Sequence, residues 1–186
     1  MQSARFVAWV SVARIWAAGC LLLLLLLSLA LSPAAVAQPP GLAPEAERAD
    51  RVVVRKAERR LTLYRGETEL VSYDIALGRE PNTKEREGDG RTPEGRYRID
   101  WRNPQSRYHL SLHISYPEAA DRARAAERGE DPGGMIMVHG LPNGLGALGA
   151  AGLLRDWTEG CIAVTNEAIR DIWRRVADGT PIEILP

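Results

Sequence analysis

The sequence predicts a mainly β protein with two helices, an α+β arrangement within a β-rich class. Three observations carry that expectation. Period-two alternation of apolar and polar residues recurs between residues 51 and 116. Two stretches, 117–129 and 165–179, read as helices. The final residues return to alternation in "TPIEIL". Strands this regular, separated by turn residues, indicate an antiparallel or mixed sheet with one face buried.

Each element has a local reason. "RVVVRK" and "LTLYRG" read as two strands of a hairpin, and "LVSYDIALG" places Val71, Tyr73, Ile75 and Leu77 on one face. Residues 79–92 hold charges and glycines without an apolar run, which predicts a loop. "GRYRIDW" aligns Tyr97, Ile99 and Trp101, and "RYHLSLHISYP" aligns Tyr108, Leu110, Leu112, Ile114 and Tyr116. Pro117 opens "PEAADRARAAERG", a solvated helix of alanine and charge. "MIMVHG" is a short buried strand ending at His139. Residues 140–152 carry five glycines and predict a mobile loop or lid. "CIAV" is a strand, and Thr165 or Asn166 caps a helix. Ile169, Ile172, Trp173 and Val176 mark the buried stripe of that helix, and Gly179 ends it. "TPIEIL" then closes the sheet.

The first 37 residues are of another kind. Arg5 and Arg14 are their only charges, Ile15–Leu31 is almost wholly apolar, and Ala35-Val36-Ala37 ends the stretch with small residues. This order predicts a secretory signal cut after Ala37 and export to the periplasm or envelope. The alternative is an uncleaved anchor, the chain's one route to a membrane. Cys20 precedes the leucine run, whereas a lipidation cysteine should follow it. Residues 38–50, rich in Pro, Ala and acids, predict a linker, and 51–186 suit one domain. The whole chain has 24 basic and 24 acidic residues, so removal of two arginines leaves a charge of −2. Nothing in that balance points to nucleic acid.

Without Cys20, Cys161 is the one cysteine left, which excludes an internal disulfide. A thiol with an ordinary pKa of about 8.5 is only about 3% ionised at pH 7, and a neighbouring imidazole makes its thiolate accessible. His109 and His113, four residues apart on a predicted strand, stand about 13 Å apart, too far to share a metal ion. They read as surface or sheet-face histidines. His139 ends an apolar strand and is followed by Gly140, as a site residue at a sheet edge would be. Gly160 lets main chain approach a ligand, so the amides of Cys161 and Gly160 are candidates to hold an oxyanion. The design is Cys-His acyl transfer. One Cys with scattered His does not match a structural zinc site, and no metal or cofactor is expected.

"MVHG", eighteen residues from Gly140 to Trp157, then "TEGCIAVTN" resembles the signature of the L,D-transpeptidase catalytic domain, the YkuD type. "RTPEGRYRI" resembles the family's strand-opening segment and "DGTPIEIL" its terminal strand, so the likeness spans about 51–186. "NPQSRYHLSLHISYPEAADRA" and "GCIAVTN" resemble a branch that includes the amidase releasing lipoprotein from peptidoglycan. The resemblance implies a β-sandwich-like fold with the thiol in a cleft under a loop. It implies Cys161 as nucleophile, His139 as general base and the Gly140 carbonyl orienting the imidazole. The implied partners are peptidoglycan stem tetrapeptides, attacked between the third-position diacid and the terminal D-alanine. The acyl group then passes to an amine, to a lysine of an envelope lipoprotein, or to water.

One departure stands out. Thr158 and Gly160 fit the common Ser/Thr-His-Gly-Cys motif, but Glu159 replaces its histidine. A carboxylate beside the thiol would raise its pKa. Glu159 therefore either points away to meet a substrate ammonium or is a solvated loop residue. Trp157 is a cleft wall or core. Arg155 and Asp156 read as a local ion pair. Arg91, Arg96 and Arg102 read as solvated, with the carboxylates of an acidic stem peptide as the alternative role. Three accounts follow: a transpeptidase, a hydrolase or amidase using the same thioester, and a non-catalytic cell-wall binding module.

Overall fold

The computed structural model describes residues 38–186, and the expected leader with Cys20 lies outside the described residues. Eight strands follow in chain order: β1 (Arg51–Arg55), β2 (Arg60–Arg65), β3 (Thr68–Asp74), β4 (Gly95–Asn103), β5 (Ser111–Ile114), β6 (Met137–His139), β7 (Ile162–Ala163) and β8 (Pro181–Leu185). Two α-helices interrupt them, α1 (Ala119–Glu127) and α2 (Asn166–Arg175). The strands form one mixed sheet in the order β3-β2-β1-β8-β4-β5-β6-β7. Nine-residue β4 serves both halves. Its first four residues pair with β8, and Ile99 to Asn103 pair with β5. The chain after β3 then bonds to the far edge, with Ala76 and Ala163 exchanging both backbone hydrogen bonds at 2.9 and 2.8 Å. That bridge curls the sheet back towards its own other end.

The mainly β expectation with two helices holds, and so does the β1–β2 hairpin. "TPIEIL" does more than close the sheet. As β8 it lies in the middle, parallel to β1 and antiparallel to β4. Its Ile182 and Ile184 enter the main core with Val52, Val54, Leu61, Leu63, Ile99, Leu112, Ile114, Val138 and Ile162. The α2 stripe of Ile169, Ile172, Trp173 and Val176 packs into the same core. Thr165 caps that helix by accepting from the Ala168 amide at 3.1 Å.

Several elements depart from expectation for identifiable reasons. Trp101 does not continue the Tyr97–Ile99 face. A register shift between Ile99 and Trp101 inserts Asp100 as an extra residue and turns the indole to the other side, where it is 38% exposed. His109 is not on β5 at all, since its φ of 67° places it in a turn before that strand. α1 begins at Ala119, with Glu118 and Asp121 forming a reciprocal capping box, rather than at Pro117. Gly179 does not end α2, which stops at Arg175; it sits in the following turn at φ 89°. Residues 38–50 include buried Ala43 and Ala49, whose amides bond to the carbonyls of Arg174 and Arg175 at the end of α2.

Truncating a central β8 side chain should be costly. Ile184→Ala removes a side chain that is 1% exposed and should lower the unfolding free energy by about 2–5 kcal/mol. Urea titration should show this as a lower midpoint with an unchanged slope.

Candidate active site

β6 and β7 run parallel, with Val138 opposite Ile162 and His139 opposite Ala163. Side chains alternate along each strand. Val138 and Ile162 join the main core, so Met137, His139, Ala163 and, one residue earlier, Cys161 turn to the second face. With strands about 4.8 Å apart and a rise of about 3.3 Å per residue, the Cα atoms of His139 and Cys161 stand roughly 8 Å apart on that face. On this diagonal the two side chains share one face of the sheet.

His139 is 3% exposed. Its Nδ1 lies 2.7 Å from the carbonyl oxygen of Gly140. A carbonyl only accepts, so Nδ1 carries the proton and Nε2 keeps its lone pair. Tyr108 and Trp157 cover the imidazole, their ring centroids 4.4 and 5.8 Å away. Burial lowers the imidazole pKa below its ordinary value, with the Gly140 carbonyl opposing the shift, so the ring rests neutral.

Cys161 is half-buried and unpaired, and its Sγ points at the Met135 carbonyl, 3.6 Å away. Burial pushes its pKa up, against opposing effects of the Met137 amide and the Lys84 charge. Lys84 belongs to the 79–92 loop. Its side chain and that of Asp89 are 3% and 5% exposed and pair at 2.9 Å. Burial alone would raise the Asp89 carboxyl. Hydrogen bonds from the amides of Glu85, Arg86 and Arg91 and from Lys84 outweigh it and hold the pKa at about 2. A loop without an apolar run is thus organised around one buried carboxylate.

The turn before Cys161 is equally constrained. Thr158 is 4% exposed; its Oγ1 accepts from the Gly160 amide at 3.2 Å and donates to the Cys161 carbonyl at 2.7 Å. The Gly160 amide is therefore committed, which leaves the Cys161 amide as the candidate oxyanion donor. Gly160 has φ 123°, and a Cβ there would stand 2.4 Å from the Arg91 carbonyl oxygen. Glu159 turns outward, bonding Arg79 at 2.6 Å with its side chain 64% exposed. It is not among the charges that shift the Cys161 thiol.

Trp157 is placed by packing and by its neighbour His139. It packs on the small cluster of Ala76, Leu141, Leu153 and Ala163, donates from Nε1 to the Gly152 carbonyl at 3.1 Å, and faces His139. The glycine-rich 140–152 segment is not featureless. It carries 3-10 turns over Gly146–Leu153, and Asn166 Oδ1 accepts from the Leu141 amide at 2.9 Å. Asp156 pairs with Arg59 rather than Arg155 and accepts from the Leu77 amide at 2.9 Å. Arg91, Arg96 and Arg102 bond Glu85, Glu183 and Asp178. Arg102 also bonds two carbonyls at the end of α2, so it serves the fold. A cavity of about 540 Å³ lined by Lys56, Arg59, Gly78, Glu94 and Asp156 contains neither His139 nor Cys161. Sequence reading missed Tyr108, Lys84 and Asp89. Only the Asp89-Gly90 turn pair hinted that the 79–92 loop is ordered. Among the described residues, no group of three or more His, Cys, Asp and Glu could hold a metal ion.

A curled mixed sheet with this strand order and a Cys-His pair on its second face defines a YkuD-type domain. The model of the L,D-transpeptidase catalytic domain (YkuD) matches residues 49–184, and the chain belongs to that family. YafK of Escherichia coli K12, described provisionally as an L,D-transpeptidase, is 32% identical over 137 residues, 67% of this chain and 46% of that protein. The helical cell shape determining protein Pgp2 of Campylobacter jejuni is 25% identical, with a TM-score of 0.57 over 72% of this chain and 46% of its own. Bd1075 of Bdellovibrio bacteriovorus is 25% identical, with a TM-score of 0.53 over 80% and 51%. The chain thus spans about half the length of these relatives.

Two outcomes are expected. Alkylation of Cys161 by iodoacetamide should accelerate with pH through a midpoint above the ordinary thiol value of about 8.5, because burial disfavours the thiolate; a midpoint below 7 would show a preformed ion pair. Gly160→Ala should displace the Arg91 carbonyl or the turn itself and slow that alkylation relative to the parent protein, read by mass spectrometry.

Proposed function

We propose that the protein is an exported cysteine acyltransferase that acts on peptidoglycan stem peptides through a Cys161 thioester. The observation that carries this reading is the His139 Nδ1–Gly140 carbonyl bond. It fixes the tautomer that leaves Nε2 basic on the same sheet face as the thiol. Nε2 takes the Sγ proton, and the thiolate attacks the carbonyl carbon of the third stem residue. The amide of Cys161 steadies the oxyanion. The imidazolium then protonates the amine of the departing D-alanine, and a thioester remains. An incoming amine or water gives its proton to Nε2 and releases the acyl group, restoring the thiol.

Transfer to an amine, to a lipoprotein lysine and to water share every step up to the thioester. The family supports the peptidoglycan substrate class, and the role of its relative Pgp2 in determining helical cell shape supports an envelope setting. A leader cut after Ala37 would deliver the domain to the periplasm. A non-catalytic wall-binding module is disfavoured by the presence of both His139 and Cys161 in the geometry described. Glu159, already paired with Arg79, reads as a loop residue held at the surface.

Incubation with a carbapenem or a stem tetrapeptide should add the corresponding acyl mass to the intact protein. Cys161→Ser should abolish that adduct, and His139→Ala should slow its formation by roughly 10²–10⁴-fold. No adduct with either reagent over a range of pH would defeat the reading. Analysis of digested peptidoglycan then separates transpeptidation from hydrolysis.

A further inference from the structure

The strand registers place a second set of residues on the face that holds the thiol. Trp101 of β4 pairs with His113 of β5, and His113 pairs with Met137 of β6. Extending the β6–β7 register by one residue sets Met137 beside Cys161. The four form a row across the sheet from an exposed indole to the nucleophile. Three strand spacings of about 4.8 Å put its ends roughly 14 Å apart.

The far end of the row is a built platform. The Trp101 and His113 rings stack with centroids 4.8 Å apart and planes 17° from parallel. His113 is fixed from the side by Asp100, with Nδ1 to Oδ1 at 2.7 Å. The bulge that inserts Asp100 is what turns Trp101 onto this face. A core role would have buried the indole, yet it is 38% exposed. The half-exposed Asp100 carboxylate that bonds His113 stands beside the ring pair. A flat aromatic ring flanked by a carboxylate suits a sugar, whose C–H face stacks while its hydroxyls bond. A membrane or an apolar protein partner would require a contiguous apolar patch.

We infer that the Trp101–His113 platform is a subsite for the glycan that carries the stem peptide, with an aminosugar ring stacked on the indole. This rests on the proposed peptidoglycan reading and deepens it. The stem is attacked at its third residue and joins the glycan at its first. Three extended residues cover about 10 Å, and the link to the sugar covers the remainder of the row. A substrate whose carbonyl lies at Cys161 therefore delivers its sugar to Trp101. Met137 gives the intervening peptide an adaptable apolar floor.

The test compares two donors, a free tetrapeptide and the same peptide on its disaccharide. The full protein should acylate Cys161 more readily from the disaccharide form. Trp101→Ala should erase that preference, about tenfold in apparent KM, while leaving the rate with free tetrapeptide unchanged. Trp101→Phe keeps a ring and should keep most of the preference. Equal use of the two donors by the parent protein, or an equal loss on both donors in Trp101→Ala, overturns the subsite. If neither donor acylates the protein, the functional reading fails, and binding decides the subsite separately. The disaccharide alone, titrated into Cys161→Ser, should produce a saturable change in tryptophan emission that is absent when Trp101→Ala is added. No saturable change, or one that persists without Trp101, overturns it.

Discussion

The parallel pairing of β6 with β7 is the constraint on which the site depends. β7 is two residues long, yet its register decides which side chains share a face. A slip of one residue would send Cys161 into the hydrocarbon occupied by Val138 and Ile162 and bring a core isoleucine out beside His139. Several bonds guard against that slip. The Val164 amide bonds the His139 carbonyl, and Ala163 exchanges two bonds with Ala76 on its other side. The short strand is held from both edges, which gives a two-residue element the fidelity of a longer one.

The electrostatic setting follows from the same packing. Both members of the Cys-His pair are shifted by burial towards their neutral forms. A resting thiol beside a resting imidazole stores no charge in a low-dielectric site. In the chemistry proposed, the ion pair forms only when a proton crosses from sulfur to nitrogen; Lys84 and the Met137 amide are the neighbours that favour the thiolate. Glu159 would oppose this if it faced inward; its bond to Arg79 keeps it at the surface. The substitution of an acidic residue at this position is therefore compatible with the chemistry proposed.

The alternation of β1, β2 and β8, the stripe on α2 and the choice of the lone thiol and His139 as candidates were legible in the sequence because each follows from local periodicity or elementary reactivity. What was not legible depends on contacts distant in sequence. Trp101 obeys the alternation of its strand until an inserted residue reverses it, and an inserted residue leaves no mark in a pattern of apolar positions. The commitment of the Gly160 amide to Thr158 is a matter of turn geometry that residue types do not reveal. The Lys84–Asp89 pair lies in a stretch that looks solvated because its charges are numerous, and only the fold encloses two of them. Trp157 was divided between wall and core; its ring packs on a small apolar cluster and also lies near His139, an arrangement that residue type alone does not reveal.

The position of β8 carries a consequence for how the chain acquires its form. β8, the last of the described strands in chain order, occupies the middle of the sheet, between β1 and β4. Without β8 the ribbons β3-β2-β1 and β4-β5-β6-β7 have no strand pairing between β1 and β4, and their backbones meet at the Ala76–Ala163 and Gly78–Thr158 bridges. Both neighbours of β8 are distant in sequence, so the sheet gains its cooperativity through long-range pairing, when this segment slots between two edges formed far from it along the chain.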